Sequence, residues 1–211
     1  MDIVERLLTL AQFGSRWVLW LLVGLSIAAL AVVIERAVLF FSSMDDTGRL
    51  RAELRRSLRD NDLELARRRL EESPSFEARV AAAGLDAEGV ASAEERMQGE
   101  SELCRLSMEK NLALLGTLGN NAPFVGLLGT VIGIVRSFHE LQSSSGQVSA
   151  GLMSEIGEAL VSTAIGLLVA LPAVAAFNLF QRLIRARMGR ATVLAHEILA
   201  FMKSDSRRLP S

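Results

Sequence analysis

Three long runs without a charged residue dominate the pattern of apolar and polar positions. They cover residues 17–34 (18 positions), 111–135 (25 positions) and 159–181 (23 positions). A helix of about 20 predominantly apolar residues is long enough to cross the hydrocarbon core of a bilayer. The pattern therefore predicts three membrane-spanning helices, which would leave the two ends of the chain on opposite sides of the membrane.

Outside these runs, apolar residues recur three and four positions apart, as on one face of a helix. The stretch "GRLRAELRRSLRDNDLELARRRLEESP" is typical of amphipathic helix up to Pro74, with a new helix start at Asn61. Ser92 and Glu95 have the spacing of a capping box, which predicts one uninterrupted helix from there into the second apolar run. The third run is predicted to continue as amphipathic helix to about Met202.

The basic residues are unevenly distributed between the apolar runs. Lys and Arg number 12 in residues 42–110 and seven in residues 182–211, against two in residues 1–16 and one in residues 136–157. Because segments rich in Lys and Arg stay in the cytoplasm, the N-terminus and the 136–157 segment are predicted outside. The predicted fold class is an all-α membrane protein with three transmembrane helices, N-out and C-in, and long cytoplasmic helical extensions.

These patterns also set predicted limits for each part of the chain. The limits are an external N-terminal segment at 1–16, transmembrane helix 1 at 17–41, a cytoplasmic helical region at 42–110, transmembrane helix 2 at 111–135, an external loop at 136–154, transmembrane helix 3 at 155–181, and a cytoplasmic C-terminal helix and tail at 182–211.

The composition argues against several classes of function. Cys104 is the single cysteine, and His139 and His196 have no cysteine or acid at ligand spacing, so no metal site is expected. Although "ARRR" is basic, residues 42–110 hold 16 acids against 12 bases, which favours a solvated helical face over nucleic-acid binding. No nucleophile and base are paired within a span, so an enzyme such as an intramembrane protease is not expected, and neither is a cofactor.

Small residues recur in the second and third runs at the spacing of one helix face. Lipid tails give helices no hydrophobic reason to associate, so small residues act by letting backbones approach closely. The residues assigned to helix packing on this basis are Gly126, Gly129, Gly133, Gly157 and Gly166.

Two acids, Glu155 and Glu158, stand at the start of the third run. An ionised acid at the centre of a spanning helix costs roughly 3 kcal/mol or more, so acids within spans usually face a cavity and serve a function. Residues 159–181 already suffice for a span, however, and Glu158 could equally lie in the first turn at the outer surface. Thr163 is about 140° away from Glu158 on an ideal helix, so a shared pore wall would need a broad lining.

The motif "APFVGLLGTVIGI", followed after a short loop by "EIGEALVSTAIGLLVALPAVAAFN", resembles the paired signature of the MotA/TolQ/ExbB proton-channel family, in its ExbB/TolQ branch. The resemblance covers residues 111–182 closely. It implies a motor subunit of the bacterial inner membrane that forms a homopentamer around the single spans of an ExbD/TolR-like partner, whose membrane Asp exchanges protons. It also implies that Thr130, Glu158 and Thr163 line the pore.

The chain departs from the family pattern at one position of the motif. Glu155 stands where the family commonly has Gly, which places an extra acid at the possible pore mouth. That acid could attract cations or be simply solvated, and solvation is favoured. The four-span MotA form fits less well, because three spans are predicted.

The function expected from the resemblance is a stator-like subunit that converts proton-motive force into mechanical work on an envelope partner. That partner would be a TonB/TolA-like or motility-complex protein, and the work transport, envelope maintenance or gliding motility. Proton rather than sodium use is expected. The alternative is a structural scaffold in the lipid bilayer that conducts no ions, for which small-residue packing alone would suffice.

Overall fold

The computed structural model describes residues 16–143 and 149–205, and within them the chain is helical and contains no β-strand. The helices are α1 (Arg16–Ser42), α2 (Thr47–Arg59), α3 (Leu63–Glu72), α4 (Phe76–Leu85), α5 (Val90–Glu109), α6 (Leu112–Ser143) and α7 (Ala150–Asp205). The predicted all-α fold class is confirmed.

Three of these helices, α1, α6 and α7, are long and apolar enough to cross a membrane. Helix α6 continues to Ser143 and α7 begins at Ala150, so helix occupies most of the predicted external loop at 136–154. Residues 144–148 of that loop lie outside the described residues, as do 1–15 of the predicted N-terminal segment and 206–211 of the tail. Helix α7 runs through Met202 to Asp205, as the amphipathic pattern predicts.

The prediction of one uninterrupted helix from Ser92 into the second apolar run is wrong. Helix α5 ends at Glu109, and Asn111 has a φ of 61°, in the left-handed region that Asn adopts more readily than most residues. The Arg36 guanidinium donates a 2.9 Å hydrogen bond to the carbonyl of Ser107, one of the last in α5. A side chain that is remote in sequence therefore satisfies a carbonyl that the helix leaves free at its end.

Both predicted helix starts in the polar region are displaced, that of α3 by one residue and that of α5 by three. The side chain that caps α3 belongs to Asp62, which accepts a hydrogen bond from the Leu65 amide, whereas Asn61 precedes it with a φ of 59°. Helix α5 begins before Ser92, directly after Gly89, whose φ of 112° favours glycine. No side chain of the described residues caps that start, so the capping-box spacing of Ser92 and Glu95 does not mark a helix start.

The described residues fall into two compact units. The first, the apolar unit, comprises 16–34, 111–143 and 149–178, and the second, the charged unit, comprises 35–110 and 179–205. The apolar unit packs α1, α6 and α7 around a small core. Its buried members are Val18, Leu22, Ala122, Ile132, Val169 and Ala170.

The charged unit has a larger core, in which α2, α3 and α4 pack on the distal part of α7. Its buried members are Leu50, Leu54, Leu58, Ala66, Leu70, Ala78, Ala81, Leu194 and Ile198. The rim of this core is ionic, because the carboxylate of Glu197 on α7 accepts hydrogen bonds from both Arg51 (2.6 Å) and Arg55 (3.1 Å) on α2. Burial of the leucine stripe and this shared carboxylate together fix α2 on α7.

A buried arginine joins α7 to the end of α1 within the charged unit. The guanidinium of Arg187 donates to the carbonyls of Phe40 (2.7 Å) and Ser43 (3.1 Å) and to the Ser43 hydroxyl (2.8 Å). It also lies over the rings of Phe40 and Phe76, at 5.1 and 5.8 Å from their centroids. Burial lowers the pKa of Arg187, and the carboxylate of the buried Glu77 acts in the opposite direction.

Candidate ion pathway

Glu158 lies in the third turn of α7 and forms an ion pair with the first described residue of α1. Arg16 donates to Glu158 Oε1 from Nη2 (3.0 Å) and from Nε (3.3 Å), and to Oε2 from Nε (3.2 Å). The Glu158 side chain is 27% exposed and that of Arg16 is 77% exposed. The acid is therefore neither buried alone nor free in solvent, because both of its oxygens already accept guanidinium hydrogen bonds.

Glu155, one turn earlier on α7, has an arginine of its own. Its Oε1 lies 3.2 Å from Arg136 Nη2 on α6, and its side chain is 20% exposed. Its other oxygen, Oε2, is buried without a hydrogen-bond partner among the described residues. Glu155 is thus paired rather than simply solvated, so the extra acid of the motif adds no unbalanced charge here.

Thr163 lies against Gly126 of α6, and Thr130 lies on α6 between Gly126 and Gly133, two glycines that contact α7. Thr130 is buried and its hydroxyl donates to the Leu127 carbonyl at 2.7 Å. The Thr163 hydroxyl oxygen is buried and has no hydrogen-bond partner in the part of the chain that the structure describes. A buried hydroxyl without a partner is uncommon and calls for an explanation.

Glu158 and the two threonines do not meet within one chain. The carboxylate of Glu158 is directed to α1, whereas Thr163 lies against Gly126 of α6. Over residues 16–143 and 149–205, no hydrogen bond joins Glu158 to Thr130 or Thr163. Ser162 is fully buried, and its hydroxyl donates instead to the backbone carbonyl of Glu158 at 3.1 Å.

The glycines of α6 allow a close approach to α7. A Cβ atom at Gly126 would lie 2.7 Å from the Ser162 carbonyl oxygen, and one at Gly166 would lie 2.7 Å from the Ala122 carbonyl oxygen. A Cβ at Gly129 would lie 2.6 Å from the Ser162 Cβ. Each distance is shorter than carbon and oxygen atoms tolerate, so these glycines set the spacing of the two helices.

Two further assigned glycines behave differently from each other. Gly133 faces Ala159 of α7, where an added Cβ would collide with the alanine methyl group. Gly157 has open space beside it, with no atom of the described residues within 4 Å of where its Cβ would stand. Among residues 16–143 and 149–205, no helix therefore packs against Gly157.

Sequence reasoning missed the two arginines that pair with the acids. Arg16 and Arg136 entered only as topology markers, although Arg136 is the single basic residue of the 136–157 segment. A single basic residue in a segment with two acids was the available signal, because a guanidinium forms strong hydrogen bonds with a carboxylate. The partner of Glu158, by contrast, lies 142 residues away and left no local signal.

The described residues hold no cluster of three or more His, Cys, Asp or Glu side chains that could bind a metal ion. What the fold and the site define is an α-helical protein of the membrane-spanning class, with closely packed helices and with ion pairs and hydroxyl groups among its apolar segments. Polar and charged groups in such segments mark ion paths or substrate paths in membrane proteins.

Comparison with known proteins makes this class specific. A sequence model of the MotA/TolQ/ExbB proton channel family matches residues 50–192, which is more than half of the chain. The chain therefore belongs to this family, and its relatives place it in the ExbB/TolQ branch. The family is one of proton channels rather than a known class of enzymes.

Three relatives illustrate the extent of the similarity. An ExbB-like biopolymer transport protein of Helicobacter pylori is 47% identical over 77 residues, which is 36% of this chain and 51% of the relative. Biopolymer transport protein ExbB of Xanthomonas campestris pv. campestris is 39% identical over 100 residues (47% and 40%). Tol-Pal system protein TolQ of Pseudomonas aeruginosa is 41% identical over 95 residues (45% and 41%). The matched region thus spans about half the length, or less, of each relative.

Proposed function

We propose that the chain is the multi-pass subunit of a proton-driven motor in the bacterial inner membrane. In this proposal, copies of the chain form a homopentamer around the single spans of an ExbD/TolR-like protein. The complex converts proton-motive force into work on a TonB/TolA-like or motility-complex protein. Relatives named for biopolymer transport and for the Tol-Pal system support this class of function.

The observation that carries the proposal is the placement of polar groups within the apolar unit. Glu158 stands among apolar turns at the start of the third span, and Thr130 and Thr163 lie deeper, where α6 and α7 pack. Each proton that crosses 100 mV releases about 2.3 kcal/mol, which can perform work only if protonation changes the favoured arrangement of the helices. We infer that the partner's Asp is the principal carrier and that Glu158, Thr130 and Thr163 shape the path beside it.

Arg16 supports a role for Glu158 as a charged group at the mouth of this path. Because the arginine of the pair is largely exposed, solvent screens the interaction and its net stabilisation is small. A pair this weak can be exchanged for a contact with a second protein at little cost. Glu158 is thus held in place and yet remains available to the partner span.

The experiment measures proton uptake into vesicles that contain the chain together with the single-span protein that copurifies with it, under an imposed potential. We expect Glu158→Gln to lower the flux at least about tenfold while the complex keeps its size, because the charge at the mouth is lost. Glu88→Gln is the matched control, since Glu88 is exposed and distant in sequence from the spans. Equal flux in wild type and Glu158→Gln would remove Glu158 from the path.

The alternative, a scaffold that conducts no ions, makes a different prediction for the same vesicles. It requires the close packing of α6 on α7 but no polar path. A wild-type complex without measurable proton flux, whose assembly is nonetheless abolished by Gly126→Leu, would favour the scaffold.

A further inference from the structure

Helix α2 carries more positive than negative charges, and four of its arginines lie in a row. Four guanidinium groups, those of Arg51, Arg55, Arg56 and Arg59, line a shallow groove of about 660 Å³ that also includes Asp60. Arg51 and Arg55 share the single carboxylate of Glu197. Arg56 and Arg59 are exposed and form no ion pair with any described residue. We call these four arginines the basic face.

Helix α5 has the opposite net charge, because it holds five glutamates against two exposed arginines, Arg96 and Arg105. Glu94, Glu95 and Glu102 are exposed and make no salt bridge within the described ranges. Two large apolar side chains, Leu103 (59% exposed) and Leu106 (63% exposed), lie on the same side of the helix as Glu95 and Glu102 at 100° per residue. Uncovered leucines at the edge of a charged surface are typical of the centre of a protein–protein contact. We call Glu95, Glu102, Leu103 and Leu106 the acidic face.

Both faces lie at the same level along α7. The basic face is attached through Glu197, and α2 packs on Leu194 and Ile198. On the other side, Glu94 and Glu102 of α5 line a cleft of about 210 Å³ together with α7 residues, namely Thr192, Ala195, His196 and Leu199. At 100° per residue, these two sets of α7 positions point roughly 160° apart. The two faces are therefore level with each other and on opposite sides of α7.

We propose that the basic face of one copy of the chain binds the acidic face of a second copy. Two different and complementary surfaces on opposite sides of one subunit make a heterologous contact, which repeats with the same rotation and can close into a ring. The exposed leucines would be covered at the centre of the contact, with arginine–glutamate pairs around them. The inference rests on the proposed function only in requiring several copies of the chain.

A lipid surface fits the basic face less well. Glu197, which fixes the level of the basic face, lies 16 residues beyond Gln181, where the third apolar run ends. At 1.5 Å per residue this is about 24 Å along the helix. Charges at physiological ionic strength are screened over about 8 Å, so anionic headgroups at the end of the apolar run would attract these arginines only weakly.

Charge reversal tests the contact in the full-length protein in lipid nanodiscs or detergent, by particle mass across a dilution series. Arg56→Glu combined with Arg59→Glu should raise the concentration of half-dissociation about tenfold or more, because like charges then oppose each other. Adding Glu95→Arg and Glu102→Arg to the same chain should restore assembly, since each face again meets its opposite. The matched control is Arg68→Glu with Arg185→Glu, which carries the same change in net charge on exposed residues outside both faces.

Cross-linking gives a second measurement that does not depend on reversed charges. In a Cys104→Ser background, a chain with Arg59→Cys and Glu95→Cys should form a ladder of linked copies with a short bis-maleimide. Chains with either cysteine alone should not, because a heterologous contact places unlike positions together. Arg68→Cys with Glu95→Cys is the control.

The outcomes separate this inference from the proposed function. A wild-type chain that assembles, whose assembly is unchanged by reversal of the basic face and whose double-cysteine variant gives no ladder, would overturn the inference and leave the motor intact. A ladder together with a complex that carries no protons would support the contact and overturn the motor.

Discussion

Gly126 and Gly166 face each other across α6 and α7 so closely that a Cβ atom on either one would stand 3.1–3.2 Å from the Cα of the other. The contact occurs where Thr163 also meets α6, so the spacing of the two helices and the position of the threonine are set together.

Replacing Gly126 by Val should destabilise the apolar unit. The new side chain would collide with the Ser162 carbonyl and the Thr163 backbone, neither of which can move without shifting the helix. Overpacking of this kind costs about 1–3 kcal/mol. Unfolding in mixed micelles would measure it, with Gly24→Val as the control because no described atom lies within 4 Å of a Cβ at Gly24. Equal loss in both variants would show that the added side chain itself, rather than the close contact, matters.

Replacing Arg187 by Gln should destabilise the charged unit by about 3–5 kcal/mol, because buried carbonyls of Phe40 and Ser43 lose their donors. Arg187→Lys should recover only part of this loss, since an ammonium cannot reproduce the planar fork that reaches both carbonyls. Chemical denaturation of the full chain measures both variants. Arg185→Gln, on the exposed side of the same helix, should stay within about 0.5 kcal/mol of wild type.

The ion pairs of Glu197 should make stability depend on pH on the acid side. Hydrogen bonding from Arg51, with Arg55 close by, lowers the pKa of the Glu197 carboxyl. A carboxyl with a lowered pKa in the folded state stabilises the fold above its unfolded pKa of about 4.3, and this contribution disappears as the pH falls through the folded pKa. Glu197→Gln should therefore cost on the order of 1 kcal/mol at pH 7 and much less at pH 3.

Unfolding at the two pH values, compared with Glu88→Gln, measures the effect of Glu197. A cost for Glu197→Gln that is the same at pH 7 and pH 3 would mean that the side chain acts through packing rather than through its charge.

Cys104 should be almost inert in the folded protein. Burial raises the pKa of its thiol to about 11, so at pH 8 the reactive thiolate is about a hundredfold or more rarer than in an ordinary cysteine. Maleimide labelling should be slow until denaturant is added, whereas the cysteine of Arg68→Cys, at an exposed position outside both faces, should react at once. Rapid labelling of native Cys104 would show that α5 opens locally.

The features that could be predicted from the sequence are those recorded in a local pattern. The apolar runs predict α1, α6 and α7, and the spacing of Leu50 and Leu54 predicts the buried side of α2. The end of α5 was not predictable in this way, because no Gly or Pro marks it. There the chain turns at Asn111, and Arg36, far away in sequence, binds the freed carbonyl of Ser107.

The same distinction between local pattern and remote contact holds for the candidate site. The motif locates Glu158 and the two threonines, but which way each side chain points depends on contacts between remote segments. The pairing of Arg16 with Glu158 spans 142 residues, and the unpaired hydroxyl of Thr163 results from helix packing. Neither is encoded in the spacing of nearby residues.

The buried Arg187 has no salt bridge to a carboxylate within the described residues, and most of its hydrogen bonds go to main-chain carbonyls at the end of α1. The last carbonyls of a helix carry the negative end of its macrodipole, worth about half an elementary charge. A cation held there is balanced by atoms that every amino acid supplies. Mutation of Phe40 can therefore remove a ring from beside Arg187 but not the carbonyl to which Arg187 binds. The junction thus tolerates substitutions at the end of α1, whereas on α7 it depends on one residue, Arg187.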